Sequence, residues 1–128
     1  ALALAHPRPV HALHAQARSM AETDWPKIAS LYGALARLHP SPVIELNRAV
    51  AIAMAEGYER GLALMDAIDL PGYYLLPAAR ADLLRRLGRM REAAIAYRAA
   101  LALVTNETER RYLERRLAEV TGGQNSAP

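Results

Sequence analysis

Two histidines three residues apart are the first place where this sequence could do chemistry. On a helix, His11 and His14 would lie one turn apart, and imidazole nitrogens at that spacing can bind a transition metal. No third ligand follows in the same segment, because His6 precedes prolines and His39 belongs to another helical segment. We therefore expect ordinary helix-face histidines, with no metal site and no cofactor.

The sequence lacks the patterns of known catalytic sites. It has no cysteine, and it contains neither Gly-x-Ser-x-Gly, His-Glu-x-x-His nor a phosphate-binding glycine loop. Asp24 could act as an acid–base group, but its place before Trp25 and Pro26 is typical of a helix N-cap. Trp25, the only tryptophan, is either a packing residue or a partner anchor. We predict that the protein is not an enzyme.

Two arginine clusters raise the question of nucleic-acid binding. They comprise Arg85, Arg86, Arg89 and Arg91, and then Arg110, Arg111, Arg115 and Arg116. Acidic residues between the arginines weaken their positive electrostatic field, and no aromatic residues on which bases could stack accompany them. We therefore do not expect direct DNA contact. The clusters are either a solvated face or a docking surface for an acidic protein, in which case the candidates are Arg86, Arg89, Arg111 and Arg115.

The composition indicates that helices must position these side chains. The 128 residues are 52% hydrophobic with a net charge of +3, and they are rich in Ala and Leu and lack Phe. A β-sheet fold favours β-branched and aromatic residues, so an all-β protein is close to excluded. No apolar run reaches the roughly 18 residues of a membrane span. We expect a cytoplasmic protein with no membrane contact.

Regular breakers divide the chain into seven helical segments. Gly57 and Gly88 mark turns, while Asp24, Ser41 and Asn106 are candidate N-caps. The predicted helices span residues 8–20, 25–38, 43–56, 59–69, 74–87, 90–103 and 107–120. In the second segment the expected apolar face is Ile28, Leu31, Leu35 and Leu38, and in the last it is Leu113, Leu117 and Val120. Residues 122–128 are predicted to be a disordered tail.

A sequence repeat indicates how the helices are arranged. Ala34-Leu35, Ala67-Ile68 and Ala100-Leu101 recur every 33 residues, and Ala93 and Tyr97 form a small-x3-aromatic pattern. A period near 33 with two helices per unit is typical of tetratricopeptide repeats. We predict an all-α, right-handed superhelical array of three helix pairs plus a C-terminal capping helix, forming one domain over residues 1–121. The pairs are 8–20 with 25–38, 43–56 with 59–69, and 74–87 with 90–103.

Polar residues inside apolar helical segments suggest a binding groove. The first helix of each repeat lines the concave side of such an array. The candidates for this groove are Asn47, Arg48, Met54, Asp82 and Arg85. They could hold a peptide backbone or terminus. Equally, such polar residues could form an internal network, for example with Arg48 or Arg80 bonding a carboxylate or loop carbonyls between repeats. An open charged groove would favour a protein or peptide, and a closed apolar pocket a small ligand.

Several blocks of the sequence resemble a known family. They are Glu22-Thr23-Asp24-Trp25-Pro26-Lys27-Ile28, Ser41 to Ala51 with Leu46-Asn47-Arg48-Ala49-Val50-Ala51, Leu76 to Arg89 with Arg80-Ala81-Asp82-Leu83-Leu84-Arg85-Arg86-Leu87-Gly88-Arg89, and Glu109 to Leu117. In this order they resemble the tetratricopeptide-like C-terminal extension of bacterial extracytoplasmic-function sigma factors, over roughly residues 10–120.

The resemblance implies a function in transcription initiation. Such sigma factors bind core RNA polymerase and direct it to promoters through regions that precede the extension. The chain would then be a regulatory protein-interaction domain, a fragment of a longer sigma factor. Its partners would be the sigma regions, core RNA polymerase, or a separate protein or peptide. The alternative is a small-ligand-sensing domain that switches the sigma factor.

Overall fold

The computed structural model describes residues 23–125, with side chains described to residue 122. This part of the chain is all-helical and contains no strand. Its six helices are α1 (Trp25–Leu38), α2 (Pro42–Glu56), α3 (Tyr58–Asp66), α4 (Leu75–Arg86), α5 (Met90–Leu103) and α6 (Glu107–Asn125). The predicted helix over residues 8–20, with His11 and His14, lies outside the described residues. Between residues 23 and 125, no helix has the length and apolar character needed to cross a bilayer.

Side-chain caps begin three of the helices, as the sequence predicts. Asp24 Oδ1 accepts a hydrogen bond from the Lys27 amide at 3.2 Å. Ser41 Oγ accepts from the Val43 amide at 3.2 Å, and Asn106 Oδ1 accepts from the Glu109 amide at 2.9 Å. Each bond satisfies one of the amide groups that a helix start leaves without an intrahelical acceptor.

The first compact unit of the fold ends at Leu70 and contains α1, α2 and α3. α2 packs against both of its neighbours. One apolar cluster joins the three helices: Trp25, Ile28, Ala29, Tyr32, Ala51 and Ile52, with Ile44, Met54, Ala55 and Leu64 at its edge. At Gly61 in α3, a Cβ atom would stand 2.4 Å from Ala53 Cβ, so only glycine permits this approach of α3 to α2.

The second compact unit begins at Pro71 and contains α4, α5 and α6. α5 packs against both α4 and α6. Gly88 adopts a φ of 80° and makes the turn between α4 and α5, a conformation that glycine takes without steric penalty. The most deeply buried side chains of this unit come from all three helices and include Leu83, Tyr97, Ala100 and Leu113.

The predicted apolar face of α1 is wrong for three of its four residues. Ile28 is buried, but Leu31, Leu35 and Leu38 are 59%, 38% and 75% exposed. The core side of α1 is formed instead by Trp25, Ile28, Ala29 and Tyr32. The leucines follow the same helical period on an adjacent flank, so periodicity alone pointed to the wrong side.

The last helix bears out two of its three predicted core residues. Leu113 and Val120 are buried, whereas Leu117 is half-buried. The helix continues to Asn125, five residues past the predicted end at residue 120. It therefore includes the first residues of the segment predicted as a tail, and residues 126–128 are outside the described part.

Burial repeats between helices in a slightly different register from the sequence repeat. The buried residues share one arrangement, two adjacent positions and a third three residues later: Ile28-Ala29-Tyr32, Gly61-Leu62-Met65 and Ala93-Ala94-Tyr97. By contrast, Ala67 is exposed while Ala100 of the same predicted set is buried. The second and third of these sets are one residue closer together than the sequence repeat of 33, which accounts for the difference.

Candidate functional site

A buried carboxylate lies at the centre of the second unit. Asp82, on the inner side of α4, is 3% exposed. Its Oδ1 accepts a hydrogen bond from the hydroxyl of Tyr97 on α5 at 2.5 Å. Both of its oxygens lie 3.1 Å from the hydroxyl of Tyr112 on α6. A buried charge needs such partners, because an unpaired carboxylate pays a large desolvation penalty.

Two arginines complete the network from its edges. Arg85 Nε donates to the Tyr97 hydroxyl at 3.0 Å, and its Nη2 lies 3.8 Å from Asp82 Oδ1. Arg116 Nε donates to the Tyr112 hydroxyl at 3.3 Å. Each tyrosine hydroxyl therefore accepts from an arginine and donates to the same carboxylate. We call these five residues, Asp82, Arg85, Tyr97, Tyr112 and Arg116, the Asp82 network.

The electrostatics keep both phenols protonated. Burial raises the pKa of Tyr97, and the hydrogen bond and negative charge of Asp82 raise it further. Burial also raises the pKa of Tyr112, again with a contribution from the charge of Asp82. Both hydroxyls thus remain donors at neutral pH. The arrangement stabilises the packing of three helices, since its members satisfy one another.

The predicted groove residues of the second unit belong to this network. Asp82 is buried and Arg85 is half-buried, with 19% of its side chain exposed. Of the two interpretations left open by the sequence, the geometry places Asp82 in an internal network. Its partners are tyrosines and Arg85. Sequence reasoning did not identify Tyr97, Tyr112 and Arg116 as partners of Asp82. An Asp within the apolar stretch Ala81 to Leu84 nevertheless signals a buried acceptor that needs donors.

The predicted groove residues of the first unit have three different surroundings. Asn47 is 1% exposed in the middle of α2. Met54 is partly buried against the apolar cluster around Trp25. Arg48 is half-buried and lines a cleft between α1 and α2. Only Arg48 of these three therefore presents a polar group to an open space.

The predicted basic surface is partly neutralised by neighbouring acids. Arg89 forms a two-point interaction with Glu92, each nitrogen–oxygen distance being 2.8 Å. Arg111 lies 3.7 Å from Glu107. Arg115 stands over the Tyr112 ring at 5.8 Å from its centroid, and Arg86 is half-buried. Since exposed ion pairs of this kind are screened by water, these arginines keep some capacity for a partner.

The described surface includes clefts in both compact units. One, of about 290 Å³, is lined by Gly33, Ala36, Arg37, Glu45 and Arg48, and we call it the Gly33 cleft. Another, of about 360 Å³, is lined by Pro77, Arg80, Leu84, Glu92, Ile95, Ala96 and Ala99, and we call it the Ile95 cleft. Each lies within one compact unit. Within the described residues, no group of three or more His, Asp or Glu side chains could hold a metal ion.

Comparison with known proteins gives one informative similarity. The chain is 46% identical over 110 residues to an uncharacterized protein of Rhizobium meliloti (strain 1021). The alignment covers 84% of this chain and 26% of the relative, so the chain spans about a quarter of the relative's length. No family model matches the chain, and no solved structure matches it.

Proposed function

We propose that the chain is a regulatory protein-interaction domain of an extracytoplasmic-function sigma factor, built as a right-handed array of tetratricopeptide-like helix pairs with α6 as its cap. The observation that carries the proposal is the packing of the helix pairs. α2 and α3 are joined at Gly57, α4 and α5 are joined at Gly88, and the two helices of each pair pack against each other. Gly61 lies against Ala53 between α2 and α3, and Ala93, in the first turn of α5, is fully buried.

The sequence blocks around these helices support the same proposal. Leu46 to Ala51 lies in α2, and Arg80 to Arg89 covers the end of α4 and the turn that follows it. These blocks resemble the extension of the sigma factors. The relative is about four times as long as the aligned region, so it is long enough to contain sigma regions as well.

The proposal assigns the contact surface to arginines on the outside of the helices. Arg111 and Arg115 are exposed on α6, and Arg89 lies at the turn before α5. Their partner would be an acidic surface of the sigma regions or of core RNA polymerase. On this proposal the domain works in the cytoplasm, without catalysis and without direct DNA contact.

Calorimetric titration tests the proposal. The 128-residue chain is titrated at two salt concentrations with the sigma regions expected to precede it. Binding at about 1 μM or tighter that weakens with salt supports docking through the arginines. The double variant Arg111→Ala, Arg115→Ala should weaken it, whereas Arg98→Ala, which removes one of the exposed arginines of α5, is the control. Absence of binding to the sigma regions and to core RNA polymerase would contradict the proposal.

The Ile95 cleft favours small-ligand sensing as a second candidate function. Its volume of about 360 Å³ lies at the lower end of the range for ligand sites, and its walls are apolar apart from Arg80 and Glu92. A thermal-shift screen of metabolites tests this function. A ligand held there should raise the Tm of the chain and should fail to do so for Ala99→Trp, which fills the cleft.

A further inference from the structure

The Gly33 cleft exposes a guanidinium group beside a missing side chain. Gly33 lies within α1, and a Cβ atom there would be 3.6 Å from Arg48 Nε. With hydrogen in place of a side chain, the space next to the Arg48 guanidinium is open. Arg37 reaches the same cleft from the last turn of α1, and Glu45 lines it from the first turn of α2.

The cleft carries positive charge that its own walls do not neutralise. Among residues 23–122, neither Arg37 nor Arg48 forms an ion pair. Arg89 and Arg116 differ in this respect, since each has a glutamate oxygen at 2.8 Å. Two arginines with one glutamate leave the cleft net positive, so it favours an anionic group.

The position of Arg48 is fixed by the burial of its neighbours. Asn47 and Ala49, on either side of it in α2, are 1% and 0% exposed. The Arg48 side chain is itself half-buried, so part of its hydration is already removed in the folded chain. Charge interactions in partly dehydrated surroundings are stronger than on an open surface.

The chemistry of the walls selects among anions. Guanidinium groups bind planar carboxylates through two parallel hydrogen bonds. The Glu45 carboxylate repels a dianion such as phosphate more than a monoanion, and its oxygens accept hydrogen bonds. The best-matched ligand therefore has a carboxylate close to an N–H donor, as an Asp or Glu residue of a polypeptide does.

We propose that the Gly33 cleft binds an acidic side chain of a polypeptide partner, with Arg37 and Arg48 holding the carboxylate and Glu45 accepting a neighbouring backbone N–H. This inference rests on the proposed function, which supplies a protein partner. It adds a contact site on α1 and α2 and the chemical class of the group that occupies it.

Nuclear magnetic resonance titration of the ¹⁵N-labelled 128-residue chain tests this proposal. The probes are a capped peptide of glutamate and glycine, the same peptide with glutamine in place of glutamate, and inorganic phosphate. The glutamate peptide should shift the side-chain Nε–H resonances of Arg37 and Arg48, with a Kd of about 1 mM for so small a contact. The glutamine peptide should leave both resonances in place.

Two variants and one control locate the site. Gly33→Asp places a carboxylate in the cleft, where a Cβ atom meets only ordinary contact distances, and Arg48→Gln removes the positive charge. Each should weaken peptide binding about tenfold or more, a loss of about 1.4 kcal/mol. Arg98→Ala removes an exposed arginine from the other unit and should bind normally. Circular dichroism of both site variants verifies that they are folded.

Four results would overturn the proposal: unmoved Arg37 and Arg48 resonances, equal binding of the glutamine peptide, equal or tighter binding of phosphate, or equal weakening by Arg98→Ala.

Failure of the cleft proposal is distinct from failure of the proposed function. If the chain binds the sigma regions and Arg48→Gln binds them equally well, the cleft proposal falls and the proposed function stands. If the peptide binds as expected but neither the sigma regions nor core RNA polymerase binds, the proposed function falls and the cleft proposal stands.

Discussion

Tyr97 donates its hydroxyl hydrogen to Asp82 over 2.5 Å and thereby joins α5 to α4 at a fully buried point. The same hydroxyl accepts a hydrogen bond from Arg85 Nε. A group that could only donate or only accept would therefore lose one of these two hydrogen bonds. Tyr112 repeats the arrangement from α6 with Arg116. The stability of the second unit should therefore depend on both phenols.

Replacing Tyr97 by phenylalanine should destabilise the second unit. The variant keeps the ring but removes the donor to Asp82 and the acceptor for Arg85, and it leaves a buried carboxylate with one tyrosine fewer. The expected loss in the free energy of unfolding is about 1–3 kcal/mol. Urea denaturation measures it, with Tyr73→Phe in the same unit as the matched control. A loss for Tyr97→Phe no larger than that of the control would show that the network adds no stability.

The free energy of unfolding should fall when the pH rises above about 10. Burial raises the pKa of Tyr97 and Tyr112 above the ordinary value of 10.0, and burial with Glu109 raises that of Tyr74 to about 12. Above pH 10 the unfolded chain loses these protons while the folded chain keeps them. The stabilisation is thus complete below pH 10 and is lost as the pH approaches the folded values.

Urea denaturation at a series of pH values checks this dependence. Each buried tyrosine should contribute a slope of up to about 1.4 kcal/mol per pH unit, and lysine adds little because the sequence has only Lys27. Tyr97→Phe should have a shallower slope than the unmodified chain. An unchanged slope in that variant would contradict the raised pKa of Tyr97.

Substituting Gly61 by alanine should destabilise the first unit. The new Cβ atom would be 2.4 Å from Ala53 Cβ and 2.9 Å from the Ala49 carbonyl oxygen, so α2 and α3 must separate. A loss of about 1–3 kcal/mol is expected from overpacking of this kind. Gly33→Ala is the matched control in the same unit, because its Cβ meets nothing closer than 3.6 Å. In that control the free energy of unfolding should be unchanged or should rise by up to about 1 kcal/mol, because alanine has the higher helix propensity.

The exposed leucines of α1 should tolerate polar residues. Leu31→Gln and Leu38→Gln replace side chains that are 59% and 75% exposed, so each should change the free energy of unfolding by less than about 0.5 kcal/mol. Ile28→Ala, on the core side of the same helix, should lose about 2–5 kcal/mol. Stability is measured by thermal or urea denaturation. Similar losses in the free energy of unfolding for all three variants would show that the leucines do form the core side of α1, as the sequence predicts.

Removing the side-chain cap of α6 should also lower stability. Asn106→Ala abolishes the acceptor that Asn106 Oδ1 offers to the Glu109 amide, with an expected loss of about 1 kcal/mol. Asn106→Asp keeps an acceptor at the helix start and serves as the conservative control. Equal losses in the two variants, measured by urea denaturation, would show that the cap does not stabilise the helix.

The helices were the part most open to prediction from the sequence. Pro26, Pro42, Gly57 and Gly88 mark boundaries that the structure places within one or two residues, because these residues act through local backbone geometry. The inward side of α1 was not predictable in this way. Alanine and aromatic residues form its core face while leucines occupy a flank, and a periodic pattern does not tell which flank another helix covers.

The site was predictable in its central residue and not in its partners. Asp82 stands out as a charged residue in an apolar stretch, so the sequence identified it. Tyr97 and Tyr112 are 15 and 30 residues further along the chain, and only the packing of three helices brings their hydroxyls to it. Gly33 was likewise overlooked, because the cleft depends on where Arg48 of the next helix reaches.

A single carboxylate shared by three helices has a consequence for local opening. Detachment of α6 breaks the hydrogen bond from Tyr112 to Asp82, and movement of α5 away from α4 breaks the one from Tyr97. Amide hydrogens around Asp82, Tyr97 and Tyr112 should therefore exchange with solvent through one common opening event. On this expectation α6 opens together with α4 and α5, as one cooperative unit.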